Sequence, residues 1–436
     1  MAVAFCLFVF PLLPPGLSRA GVEEGYPVGV SCPGDCNADG VVVAAELVAG
    51  SMSAWANDVE RCAAMDADGS GHVTAEELLE ASSAVFGRCR AIVEPETLWG
   101  VDSNYVRLFE LQGRTWQVEG RQVDPIEEFT RRGANAFRLR IWVENDPGDP
   151  QPGTLERHAR LLARRAQHLG LYVLPVLFMS RGWGADTEQD APTEWAELSL
   201  AERAEVARLW AKDATERLRL DGIRTRLYAI GNETDYGFCG AFEVTEDLDR
   251  LEREIWPAAA RLMRATAEGV RAGSGRGDLR FVVHISRGWD PEFALAYFRT
   301  MLAEGVPIDL AGLSYYPNSW GEERARRFDT TVERLSRELG LPVLVAEYAY
   351  AAEARVPGWR EALPGYPLDE AGQARFVGDF CRRVFDDPRL RGAFYWSPEE
   401  AHAIFDWSVM GLFRPSFDGH SPGARPALGA LDCRVR

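Results

Sequence analysis

From residue 95 onward, short apolar runs alternate with longer stretches in which apolar residues recur at i, i+3 and i+4 between charged positions. The runs at 97–103, 136–143, 171–178, 226–231, 279–285, 308–315, 342–348 and 392–397 predict strands. The stretches at 154–168, 199–219, 247–272, 290–304, 322–339 and 369–386 predict amphipathic helices. A parallel strand reaches its next partner only through a crossover. Eight strand units with helices between them therefore predict an α/β fold, a (β/α)8 TIM barrel over residues 95–436.

Residues 31–90 break that rhythm with an internal duplication. Asp35-Cys-Asn37-Ala-Asp39-Gly40 runs on to Glu46, and Asp66-Ala-Asp68-Gly-Ser70-Gly71 runs on to Glu77. Each is a twelve-residue loop with oxygen donors at positions 1, 3, 5 and 12, a glycine at 6, and a backbone carbonyl at 7 from Val41 or His72. Calcium is the expected ion. Position 9 is Val43 in the first loop and Thr74 in the second, so the first relies on a water there. The segment resembles EF-hand pairs and the dockerin modules. That resemblance implies a small all-α module ahead of the barrel, with a scaffold or cell-surface protein as its partner. Both loops end in Glu-Leu where dockerin loops usually end in Asp, a departure that bears on docking rather than on calcium.

Residues 1–20 carry an apolar core followed by Ser18-Arg19-Ala20, the pattern of a cleaved signal peptide, and predict a secreted protein. Cysteines then remain at 32, 36, 62, 89, 239, 381 and 433. An oxidising compartment makes two bridges within 32–89 and one between 381 and 433 the expectation, with Cys239 left over. No later run approaches the length of a membrane span. The formal charge of −18 disfavours nucleic acid and anionic lipid as partners. Lys212 is the only lysine, which removes Schiff-base chemistry from consideration.

Active sites of such barrels lie at the C-terminal strand ends, so a carboxylate closing an apolar strand is informative. Glu233 closes Leu227-Tyr-Ala-Ile-Gly-Asn232-Glu233, and Glu347 closes Val343-Leu-Val-Ala-Glu347. Retaining glycosidases need such a pair, one protonated and one ionised.

Arg138-Leu-Arg140-Ile-Trp142-Val, Gly231-Asn232-Glu233, Gly312-Leu-Ser314-Tyr315-Tyr316-Pro317, Ala346-Glu347-Tyr348-Ala349-Tyr350 and Phe394-Tyr395-Trp396 together resemble the clan A glycoside hydrolases. More narrowly they resemble the arabinogalactan endo-β-1,4-galactanases of glycoside hydrolase family 53, over roughly residues 97–430. The resemblance implies a polysaccharide substrate, no catalytic cofactor, Glu233 as acid/base and Glu347 as nucleophile. It gives Asn232 the sugar 2-hydroxyl and places Arg138 beside Glu347. Arg140, Trp142, Trp183, His284, Tyr315, Tyr316 and Trp396 are the remaining expected substrate-binding residues, with one of the two tyrosines facing the site. The sequence departs from the family over Phe178-Met-Ser-Arg181-Gly-Trp183-Gly-Ala185, where an acidic position has become Arg181, around Phe238-Cys239-Gly240 and at Tyr350, and these loops are expected to alter subsites. Two alternatives share the pattern: another clan A endo-β-glycanase, and a non-catalytic carbohydrate- or scaffold-binding barrel.

Overall fold

The computed structural model describes residues 25–85, 89–144, 156–401, 406–415 and 422–433. The expected leader at 1–20 lies outside them. All eight predicted barrel strands are present: β3 Leu98–Asp102, β4 Ala136–Glu144, β5 Tyr172–Arg181, β6 Leu227–Ile230, β7 Arg280–Ile285, β8 Leu310–Tyr315, β9 Val343–Tyr348 and β10 Leu390–Trp396. They pair in chain order, every pair parallel, and β10 closes on β3. Crossover helices include α3 Glu156–His168, α4 Leu200–Leu220, α5 Trp256–Ser274, α6 Pro291–Ala303, α7 Pro317–Leu339 and α8 Glu370–Asp386. The segment expected as one helix at 247–272 instead starts with a short turn and a π-helical stretch, Leu251–Ile255, before α5.

Side chains alternate across each strand. Leu174, Val176, Ala229, Val282, Leu344 and Phe394 fill the barrel interior, while Leu139, Val173, Ile230, Val283, Leu313 and Val345 join the layer beneath the helices. Between Leu313 and Ser314 the β8–β9 register slips, so that Ser314 pairs with Glu347. That bulge turns a serine and a glutamate of adjacent strands to the same face.

The barrel floor is closed by an element the sequence did not announce. β1, Gly25–Ser31, and β2, Arg90–Pro95, form an antiparallel ribbon. Val28 and Ile92 enter the interior cluster. Buried Glu94 beneath them accepts from Tyr172 Oη at 3.3 Å and Arg226 Nε at 2.7 Å, and pairs with Arg280.

Between these strands lie helices α1, Ala44–Ala56, and α2, Ala75–Ala84, held by the Cys32–Cys89 and Cys36–Cys62 bridges. Cys381 bonds Cys433, and Cys239 is free and buried. In the first loop, Asp35 accepts from the amides of Asp39 and Gly40, and Glu46 from those of Cys36, Asn37 and Val43. In the second, the carboxylates of Asp66, Asp68 and Glu77 lie within 4.8 Å of one another. Ser70 Oγ lies 3.1 Å from the carbonyl of His72 and 3.3 Å from Asp66 Oδ1, alternative acceptors for its one hydrogen. Barrel arginines meet both loops: Arg164 reaches Asp66 at 2.8 Å and Arg224 reaches Asp35 at 3.3 Å.

Candidate active site

Above the packed interior, the C-terminal strand ends surround a cavity of about 750 Å³. Glu233 and Glu347 both line it, as do Asn232, Ser314 and Tyr316. After β6 the chain turns sharply: Gly231 has φ +74° and Glu233 φ +41°. The left-handed region costs a residue with a side chain about 1 kcal/mol or more. Here it lifts the carboxyl off the strand line and into the cavity. Phe238, fully buried, packs against Gly231 and supports the turn from behind.

Arg138 ties the two carboxylates into one network. Its guanidinium, 1% exposed, pairs with Asp102, donates to Glu347 Oε1 at 2.8 Å and donates to Asn232 Oδ1 at 2.6 Å. Tyr316 Oη donates to Glu347 Oε2 at 2.7 Å. On the other side, Ser314 Oγ lies 2.6 Å from Glu233 Oε1, His284 Nε2 lies 2.9 Å from Ser314 Oγ, and His284 Nδ1 lies 3.0 Å from Asn232 Oδ1. Gly312 makes room for that imidazole, since a Cβ there would lie 2.9 Å from the Cβ of His284.

The surroundings of the two glutamates differ. Burial raises the Glu347 carboxyl, but Arg138 and the Tyr316 hydroxyl work against that rise. Glu233 is held well above the ordinary carboxyl range by burial first, then by the charge of Glu347 and of Asp186. Asp235, also buried, is pushed up to about 7 by burial and by Asp186, with Ser286 bridging the two aspartates. Burial drives the His284 imidazole well below its usual value, and Arg138 adds to this, so the ring is neutral. Two neighbouring carboxyls with unlike partners can divide the roles of acid and nucleophile.

Arg140 points inward as the alternation predicts. It pairs with Asp102 at 2.9 Å, donates to Tyr105 Oη at 2.8 Å and lies under the rings of Tyr105, Trp142, Trp183 and Trp396. Trp183 and Trp396 line the cavity, whereas Trp142 is buried behind Arg140 against Phe178. Tyr315 is a correction. Its ring packs on Phe328 and Phe380 in the layer beneath the helices, because adjacent strand residues face opposite ways and Ser314 takes the inward position. Tyr316 is the tyrosine that faces the site.

Of the family departures, Phe178 and Ala185 line the cavity, whereas Arg181, Phe238 and Tyr350 do not. Arg181 is exposed at the end of β5, Phe238 is core, and Tyr350 is buried against Phe376 with its hydroxyl on the Tyr366 carbonyl. Sequence reasoning also missed residues. Asp102 ends an apolar strand and was open to the same test that found the glutamates. Trp359 and Trp407, which pack edge to face with each other and with Tyr316, come from long loops without periodicity.

A family model described as glycosyl hydrolase family 53 matches residues 98–412. The arabinogalactan endo-beta-1,4-galactanase of Cellvibrio japonicus is 27% identical over 312 residues, covering 69% of this chain and 79% of that protein. Arabinogalactan endo-beta-1,4-galactanase A of Aspergillus niger is 24% identical over 310 residues, 69% of this chain and 85% of that one. A solved structure from work on two fungal beta-1,4-galactanases superposes with TM-score 0.67 at 22% identity, over 78% of this chain and 100% of the other. At that identity the likeness speaks for the fold.

Proposed function

The chain belongs to glycosyl hydrolase family 53 and is a glycoside hydrolase, and from that premise we propose that it is a retaining endo-β-1,4-galactanase acting on (arabino)galactan. The observation that carries the mechanism is the unlike setting of its two cavity carboxyls. Glu347, hydrogen-bonded by Arg138 and Tyr316, is the ionised nucleophile. Glu233, facing a second negative charge, keeps its proton for the leaving oxygen. Attack by Glu347 on the anomeric carbon breaks the glycosidic bond as Glu233 protonates it. Ionised Glu233 then takes a proton from the water that displaces Glu347, restoring both groups and the β configuration.

Asn232 is held by Arg138 and by Gly184, and its second N–H is available to the sugar 2-hydroxyl. The indoles of Trp183, Trp289, Trp320, Trp359, Trp396 and Trp407 line the cavity and suit the apolar faces of pyranose rings. The names of the relatives support galactan. Incubation with linear β-1,4-galactan, arabinogalactan, mannan, xylan and cellulose tests the reading. Galactan cleaved to short oligosaccharides, with the β-anomer first in the proton NMR spectrum, is the expected result. No galactan cleavage, or an inverted first product, refutes it.

For residues 31–90 the reading is a calcium-binding EF-hand pair. The converging oxygens of Asp66, Asp68 and Glu77 support it, and burial raises the Asp66 and Glu77 carboxyls, a strain that a divalent cation would relieve. The three disulfides fit secretion. A scaffold or cell-surface partner for this module remains part of the proposal on the resemblance alone.

A further inference from the structure

The hydrogen-bond chain from Asn232 to Glu233 admits very few arrangements of protons. Asn232 Oδ1 accepts from Arg138 Nη2 at 2.6 Å and its Nδ2 donates to the Gly184 carbonyl at 3.1 Å. A guanidinium only donates and a carbonyl only accepts, so the amide cannot be turned round. Oδ1 therefore faces His284 Nδ1 at 3.0 Å as an acceptor, and Nδ1 must carry the hydrogen. The two donors that also approach Nδ1, Arg138 Nη2 and the Glu233 amide, are both at 3.5 Å, the outer limit of a hydrogen bond. A neutral ring protonated on Nδ1 has a bare Nε2. Ser314 Oγ, 2.9 Å away, must then donate to it. A serine has one proton, so the 2.6 Å contact between Ser314 Oγ and Glu233 Oε1 leaves the carboxyl as the donor.

We propose that Ser314 and His284 form a proton-orienting relay, anchored by Asn232 and Arg138, that holds the hydrogen on Glu233 in the resting enzyme. This deepens the acid/base assignment above and rests on it. Ser314 and His284 are positioning residues: they exchange no proton with substrate. When Glu233 gives its hydrogen to the leaving oxygen, the Ser314 hydroxyl can rotate to the carboxylate only by leaving Nε2 without a partner. The ionised state therefore loses one hydrogen bond, and reprotonation is favoured. The other charged and titratable groups around Glu233 are Glu347, Asp186 and Asp235, with Tyr316 beyond Glu347. The relay adds direction to their repulsion.

The sign of one shift tests the relay. A serine that donates to a carboxylate lowers its pKa, whereas one that accepts from the acid raises it. Ser314→Ala should move the alkaline limb of kcat/KM on galactan down by roughly half to one pH unit, the size of one hydrogen bond. An upward shift overturns the relay. A nitrogen-15 NMR spectrum of histidine-labelled protein near neutral pH should show the buried His284 with Nδ1 protonated and Nε2 bare, unchanged in Glu233→Gln, whose amide can donate to Ser314 in the same way. A ring protonated on Nε2 overturns the relay without reference to activity. Undiminished galactan cleavage by Glu233→Gln would instead overturn the acid role and leave the tautomer result standing.

Discussion

Arg138→Leu isolates what keeps the nucleophile ionised. The substitution removes the one guanidinium that touches Asp102, Glu347 and Asn232 together, at a site 1% exposed, and leaves Arg140 on Asp102 at 2.9 Å so that one acid keeps a partner. An opposite charge at hydrogen-bond distance lowers a carboxyl pKa by about 1 to 3 units. Without it, burial acts on Glu347 opposed mainly by the Tyr316 hydroxyl and Arg140. The acid limb of kcat/KM on galactan should move up by about 1 to 3 pH units, with about a tenfold loss per unit at any pH below the displaced limb. Stability follows with a definite sign. Breaking a buried pair costs about 3 to 5 kcal/mol. A carboxyl whose folded pKa lies above its unfolded value binds protons on folding, so the deficit is largest at neutral pH and shrinks as pH falls towards the unfolded value near 4. Thermal melts of both proteins at pH 5 and pH 7.5 read that difference. An acid limb that stays in place or moves down, or a deficit no smaller at pH 5, refutes the reasoning.

Chemical rescue separates the two glutamates: Glu233→Ala should keep activity on an aryl glycoside with an acidic phenol and yield a β-glycosyl azide. Glu347→Ala should fall by several orders of magnitude and yield the α-azide, so the same azide anomer from both variants would sink the assignment. Asp235 and Glu399 have folded pKa values pushed up to about 7 and about 8, chiefly by burial. They bind protons on folding between their unfolded values near 4 and those limits, so the wild-type melting temperature should fall from pH 5 to pH 8; a rise refutes this account. Calorimetric titration should find calcium uptake that Glu77→Gln weakens at least tenfold, and equal uptake by the variant would remove Glu77 as a ligand.

Most of the barrel was legible because parallel strands and their helices write opposite periods into the sequence, and their alternation is local information. Glu233 and Glu347 were legible for a related reason, as charged residues ending apolar runs. Facing was harder. The two adjacent tyrosines 315 and 316 straddle a strand end, and the bulge that sets which one turns inward is a property of the β8–β9 pairing. Ser314 lies inside the Gly312–Pro317 motif without standing out in it, and its importance appears only when His284 and Glu233 arrive from two other strands. Trp359 and Trp407 reach the cavity on loops whose course is fixed by tertiary contacts. The floor ribbon was hidden because its two strands lie on either side of a 57-residue disulfide separation, and the first carries Gly25, Pro27 and Gly29, residue types depleted in strands.

That ribbon changes the topological status of what it encloses. The cysteine-rich segment is an insertion in the turn of a β-hairpin that packs against the barrel floor, rather than an appendage ahead of it. Its two ends leave the hairpin side by side, with the Cα atoms of Cys32 and Cys89 4.6 Å apart. Closely spaced ends are what allow one domain to be spliced into another without disturbing the host. An enzyme shortened at the first barrel strand would lose the plug beneath Leu98, Tyr172 and Leu227, whereas one shortened by joining the two strands through a tight turn keeps its floor. The boundary that matters physically therefore runs through the loop of a hairpin, and residues 25–31 lie on the catalytic side of it.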